Sequence, residues 1–155
     1  ESAAAARACE LRPDDSLPYL KSLVDDMWKS LENHKQYLRK NRQFHFGIYQ
    51  LADSPLLLRM IDSLWARIGP YFTIRVIDPE HLRRVNTPCH QQMYEALAAR
   101  DKKKMRQALA TELGSTQGIV LPLIGETSAR LEKKMKMNGG QSKRKRSGED
   151  ETDKG

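Results

Sequence analysis

The stretch Asn41-Arg42-Gln43-Phe44-His45-Phe46-Gly47-Ile48-Tyr49-Gln50-Leu51-Ala52-Asp53-Ser54-Pro55-Leu56-Leu57 decides the fold. Its first part belongs to a helix predicted from about Gln36 to Ala52. Tyr37, Phe44, Ile48 and Leu51 supply the apolar face at helical spacing. Asn41 and His45 lie four residues apart, so they share one face a turn apart, and that face approaches Ile48 and Ala52. Asp53-Ser54-Pro55 then breaks the chain and starts another helix, because Asp or Ser caps well and proline suits the first turn. Two helices joined by so short a corner, with a polar pair turned inward, describe a helical bundle.

The rest of the chain follows the same grammar. The alanine-rich residues 2–11 form a helix that stops at Arg12-Pro13, since a residue before proline leaves the helical region. Asp15 or Ser16 caps a second helix, and Leu20, Leu23, Val24, Met27 and Leu31 carry its stripe to about Glu32. Beyond Pro55 the stripe is Leu57, Met60, Ile61, Leu64, Ile68 and Tyr71, with Gly69-Pro70 ending or kinking the helix. Residues 72–86 lack a period and read as a loop with a short helical piece around Pro79–Arg84. Thr87-Pro88 opens a fifth helix to Arg100, with Met93, Tyr94, Leu97 and Ala98 inside. Asp101 caps a long sixth helix through Met105, Leu109 and Leu113, kinked at Pro122 and continuing to about Lys134. No stretch alternates as a strand does, and there is no internal repeat. The predicted class is all-α.

A length of 155 residues supports one domain with a core. The formal charge of +7 would suggest nucleic acid or an anionic surface as partner. Its distribution argues otherwise: residues 1–129 carry +3 and residues 130–155 carry +4. From Asn138 onward no apolar residue occurs, so 138–155 is predicted as a disordered charged tail after a domain at 1–137. The run Lys143-Arg144-Lys145-Arg146 is read as part of that tail, and Lys102-Lys103-Lys104 as a solvated face. No apolar run approaches the roughly 20 residues that span a bilayer, and no signal peptide pattern is present. Cys9 and Cys89 form no disulfide framework, and a reducing cytosol is the simplest setting. A chain that begins at Glu1 is expected to be a fragment or a processed product.

Three polar positions on apolar helix faces carry the chemistry. His45, with Asn41 before it, is one. His90, on the face of Met93, Tyr94 and Leu97, is the second. Glu112, between Leu109 and Thr116, is the third. Taken singly, each has an ordinary explanation: a hydrogen-bonded core histidine for the first two, a solvated edge carboxylate for the last. Together they form a set of imidazole and oxygen donors. Helical bundles build metal sites from such inward side chains, and the set suits zinc, nickel, manganese or iron without choosing among them. Cys89 beside His90 is not a nucleophile and base, because adjacent helical residues point about 100° apart. His34 and His81 fall in predicted connections and are expected to be exposed.

The quoted stretch resembles the signature of the FCD domain, the C-terminal effector-sensing domain of FadR-type GntR transcription regulators. Ile61-Asp62-Ser63-Leu64-Trp65-Ala66-Arg67-Ile68-Gly69-Pro70-Tyr71 is similar to the family's next helix. His90 and Ala96-Leu97-Ala98-Ala99-Arg100-Asp101 are similar to the last two, and residues 1–7 to the first. The likeness covers about residues 1–131. It implies an antiparallel bundle of six to seven helices around a central ligand and metal pocket. Many members hold a divalent ion through an Asp and three histidines. Here Asn41 takes the Asp place, His45 and His90 take two histidine places, and Glu112 takes the third. The departures at Asn41 and Glu112 exchange a charged ligand for a neutral one and restore one carboxylate.

The resemblance further implies a small organic acid as effector, a cationic side chain in the pocket to meet its carboxylate, a homodimer, no membrane, and DNA contact only through a winged helix-turn-helix absent from this chain. Arg67 is the candidate cation and Tyr94 a candidate lining residue, with Arg59 and Arg75 as secondary cations. The effector would bias one helix arrangement and so the spacing of the DNA-binding modules. No catalytic residue is assigned. Two alternatives stay open: a metal-dependent hydrolytic enzyme using the same donors, and a basic helical protein that binds nucleic acid directly.

Overall fold

Reciprocal arginine capping joins the first helix to a helix some ninety residues later. In a computed structural model, which describes residues 1–74 and 79–146 (without the side chains of 72–74, 119, 123, 126–128 and 130–146), the order is α1 Ser2–Leu11, α2 Ser16–Lys29, α3 His34–Gln50 and α4 Pro55–Ile74. A short turn α5, Pro79–His81, runs into a π-helical segment, Leu82–Asn86, followed by α6 Thr87–Ala98 and α7 Lys102–Arg146. Most of the described residues are helical, and there is no strand among them. Arg12 ends α1 and donates through Nε to the Leu97 carbonyl and through its terminal nitrogen to the Ala98 carbonyl, both at 2.7 Å. Arg100 follows α6 and donates to the carbonyls of Glu10 and Arg12, each at 2.9 Å. Each arginine thus satisfies the orphan carbonyls of the other helix.

Arg100 itself sits at φ 54, the left-handed conformation that closes many helices. Its N–H donates to Leu97 O and that of Asp101 to Ala96 O, the double bond of a Schellman ending. Asp101 then accepts from the Lys104 N–H at 2.9 Å and caps α7, as its sequence position suggested. Asn33 caps α3 by accepting from the Gln36 N–H at 3.1 Å, so α3 begins at His34 and not at Gln36. Asp15 occupies the cap position of α2 without a side-chain bond.

The core forms where α2 packs on α3 and α6, and α1 on the same two helices. Leu20, Leu23, Val24 and Met27 of α2 meet Phe44 and Ile48 of α3 in this layer, all buried. Gly47 of α3 permits the approach of α2: a Cβ there would stand 2.8 Å from Leu20 Cδ2.

Several expectations are corrected. α4 continues through Gly69 and Pro70 to Ile74, and α7 continues through Pro122 to Arg146, past the expected end near Lys134. Proline removes one ladder bond and need not end a helix whose flanks remain helix-forming. On α4, Ile61 is buried, but Met60 and Leu64 are more than half exposed and Leu56 more so. The predicted stripe therefore points largely outward. The chain divides into two compact units, Glu1–Gly118 and Ile119–Gly155. Arg75 and residues 147–155 of the predicted tail lie outside the described residues. No described helix is long and apolar enough to cross a membrane.

Candidate metal and ligand site

Three helices of the first unit bring His45, His90 and Glu112 together. His45 lies on the buried face of α3 with Phe44 and Ile48, and His90 on that of α6 with Cys89, Met93 and Leu97. Glu112 continues the buried line Met105, Ala108 and Leu109 of α7 and is only 6% exposed. The solvated-edge explanation for Glu112 therefore fails. The candidate ligand atoms of the three residues all lie within 4.8 Å of one another. His45 Nε2 is 3.1 Å from His90 Nε2 and 3.8 Å from Glu112 Oε2, while His90 Nε2 is 3.9 Å from Glu112 Oε1.

Hydrogen bonding fixes the His45 tautomer. The Tyr49 hydroxyl donates to Glu1 Oε2 at 2.7 Å, so its proton is committed there. His45 Nδ1, 3.1 Å from the same hydroxyl oxygen, must then be the donor. Nε2 is left with its lone pair turned toward His90 and Glu112. Trp65 Nε1 donates to the other Glu1 oxygen at 2.8 Å and packs its ring 5.3 Å from that of His45. Phe44 meets both imidazoles edge-on and Tyr37 meets His90 similarly, which encloses the donors in aromatic surface.

Burial sets the charge states. It pushes the His90 pKa well down, with His45 adding to the effect, so His90 is neutral. It raises the Glu112 pKa, which the positive form of His45 opposes. Burial also raises Tyr49, with the Glu1 carboxylate adding to it, and so keeps the phenol protonated. A divalent cation fits this donor set. Two nitrogens on one ion with bonds of about 2.1 Å would sit roughly 3 to 3.4 Å apart. The observed spacing of 3.1 Å agrees. Such an ion would hold Glu112 ionised. Among the described residues, His90 Nδ1 is buried without a hydrogen-bond partner.

Glu112 also lines a cavity of about 650 Å³. Asn41 is there too, one turn before His45. Its walls are largely apolar, from Tyr37, Leu38, Trp65, Ile68, Leu82 and Leu113. The cations on it come from α3: Lys35, Arg39 and Arg42. Arg42 is engaged by Asp62 at 2.7 Å and lies over the Phe46 ring at 4.0 Å. Lys35 and Arg39 are exposed and have no ion-pair partner among the described residues.

Arg67 and Tyr94 do not line this cavity. Arg67 is exposed on α4 because its neighbours at helical spacing also face outward, and Tyr94 is half-buried on α6. Arg59 is exposed as well. The missed cations had a sequence signal: Lys35, Arg39 and Arg42 repeat at spacings of four and three beside Asn41. His34 and His81 are not exposed. His34 lines the cavity, and His81 Nε2 lies 2.8 Å from Ser115 Oγ.

The sequence profile described as the FCD domain matches residues 1–114. The chain belongs to the FCD domain family. This FCD chain is 32% identical over 114 residues to the HTH-type transcriptional regulator McbR of Escherichia coli (strain K12), covering 71% of this chain and 51% of McbR. It is 33% identical over 100 residues to the uncharacterized HTH-type transcriptional regulator YcbG of Bacillus subtilis (strain 168), covering 63% of this chain and 40% of YcbG. A solved structure described as E. coli McbR/YncC superposes with a TM-score of 0.71 at 29% identity, over 78% of this chain and 58% of that one. The FCD chain thus spans about half the length of the curated relatives it matches. The all-helical FCD bundle expected from the sequence is the fold found.

Proposed function

We propose that the chain is the effector-sensing part of a GntR-type transcription regulator. It takes a small organic acid with the help of a divalent metal ion and passes the event to a DNA-binding domain. The convergence of His45, His90 and Glu112 beside a largely apolar cavity carries this reading. His45 and His90 would offer imidazole nitrogens and Glu112 a carboxylate, with the Asn41 amide oxygen as a further neutral ligand. Zinc, nickel and manganese all suit these donors. When bound, the ion supplies a fixed positive charge for the acid's carboxylate. Arg39 and Lys35 add cationic side chains on the cavity wall, in the role the sequence assigned to Arg67.

The chain's residues hold and orient, and no catalytic step is assigned to them. Tyr49 and Glu1 keep His45 in the tautomer that points Nε2 at the site. Phe44, Tyr37 and Trp65 keep water from the donors. DNA contact belongs to a winged helix-turn-helix of the full-length regulator, and a cytoplasmic homodimer is its setting. The outward stripe of Leu56, Met60 and Leu64 supports the dimer, since apolar rows of this kind mark protein contacts.

Thermal unfolding of the purified chain against a panel of organic acids tests the reading. The midpoint should rise with at least one acid, and removing the ion with a chelator should abolish the rise. A chain whose midpoint moves with no carboxylate, with or without ion, contradicts it.

A further inference from the structure

Asn86 is the last residue of the π-helical segment, where the Thr87 N–H reaches back to the Leu82 carbonyl. π-Helical turns are frequent at functional sites. Here Leu82 and Asn86 both line the cavity. Asn86 is 95% buried. Its Nδ2 donates to Glu112 Oε1 at 3.5 Å, which turns the amide nitrogen toward the carboxylate. Its Oδ1 is buried and has no hydrogen-bond partner among the described residues. A buried acceptor left bare is unfavourable, so something in the cavity should donate to it. Flipping the amide gives no relief, because Oδ1 would then face the Glu112 carboxylate.

We infer that Asn86 reads a hydrogen-bond donor on the effector, which is therefore a carboxylic acid with an apolar body that also carries a hydroxyl or an ammonium group. The volume near 650 Å³ and the apolar walls call for more than a two- or three-carbon acid. The cations and the donor cluster account for a carboxylate and Asn86 for a donor. This inference rests on the acid-sensor reading above.

Calorimetric titration of the purified chain with octanoate, 2-hydroxyoctanoate, 3-hydroxyoctanoate and 2-aminooctanoate tests it. At least one of the three donor-bearing acids should bind about tenfold or more tightly than octanoate, and which one does so identifies the donor. In Asn86→Leu that preference should shrink to within about twofold while octanoate still binds. Asn86→Ala serves the same comparison if the leucine variant does not fold. Equal binding of all four acids to the unaltered chain means that Oδ1 keeps a water. That overturns the inference and leaves the acid sensor standing. A preference that survives in the Asn86 variants overturns it as well. Binding of none of the acids overturns the inference and counts against the acid sensor itself.

Discussion

Tyr49 shows how one side chain outside the donor set governs it. Its hydroxyl both accepts a hydrogen bond from His45 Nδ1–H and donates one to Glu1, so the imidazole is held in one orientation and one tautomer. Removing such a partner typically weakens metal affinity 10- to 100-fold. Tyr49→Phe should therefore lower the ion's affinity about tenfold or more in a competition titration with a chromophoric chelator. An unchanged affinity would show that the hydroxyl does not orient His45. The meeting of His45, His90 and Glu112 had signals in the sequence, because His45, His90 and Glu112 each extend an apolar helix face. Arg67 was misplaced for a physical reason. α4 is apolar on more than one side, so periodicity alone does not say which side is buried, and the side holding Met60 and Leu64 is the open one. The orienting role of Glu1 was not readable at all, since it depends on bringing residue 1 to Tyr49 and Trp65.

At the level of elements, the exchange between Arg12 and Arg100 sets how α1 meets α6, and His90 rides on α6. Arg12 is buried, donates to two carbonyls, and is ion-paired with Asp14. Replacing it strands the Ala98 carbonyl and removes one of the bonds to Leu97 O, which keeps the Arg100 N–H, and bonds from a charged donor contribute about 1.5 to 3 kcal/mol each. Arg12→Ala should lose roughly 3 kcal/mol in urea unfolding, and a loss under about 0.5 kcal/mol would contradict the capping account. The sequence announced where α1 stops, through Pro13, and where α7 starts, through Asp101. It did not announce the exchange, because two arginines far apart in the chain carry no local signature. The start of α3 was misjudged because Asn33 caps it from within a stretch read as connection.

For the whole molecule, the reading is of a sensing bundle whose outer apolar row meets a second copy. Leu64→Glu places a charge in that row, at a side chain that is 55% exposed and does not line the cavity. In sedimentation velocity the unaltered chain should run as a dimer and the variant as a monomer. Identical sedimentation of the two would remove α4 from the contact. The sequence conveyed the fold class almost completely, since caps, prolines and apolar spacing act locally. It conveyed the cavity poorly, because a cavity is a relation among helices that no single helix pattern contains. The central claim is that His45, His90 and Glu112 bind one divalent ion. The most direct measurement is elemental analysis of the purified, dialysed chain beside His90→Ala. The account predicts about one zinc, nickel or manganese ion per chain, and its loss in the variant. A metal-free chain that takes up no added ion, or a variant that keeps the full content, would contradict it.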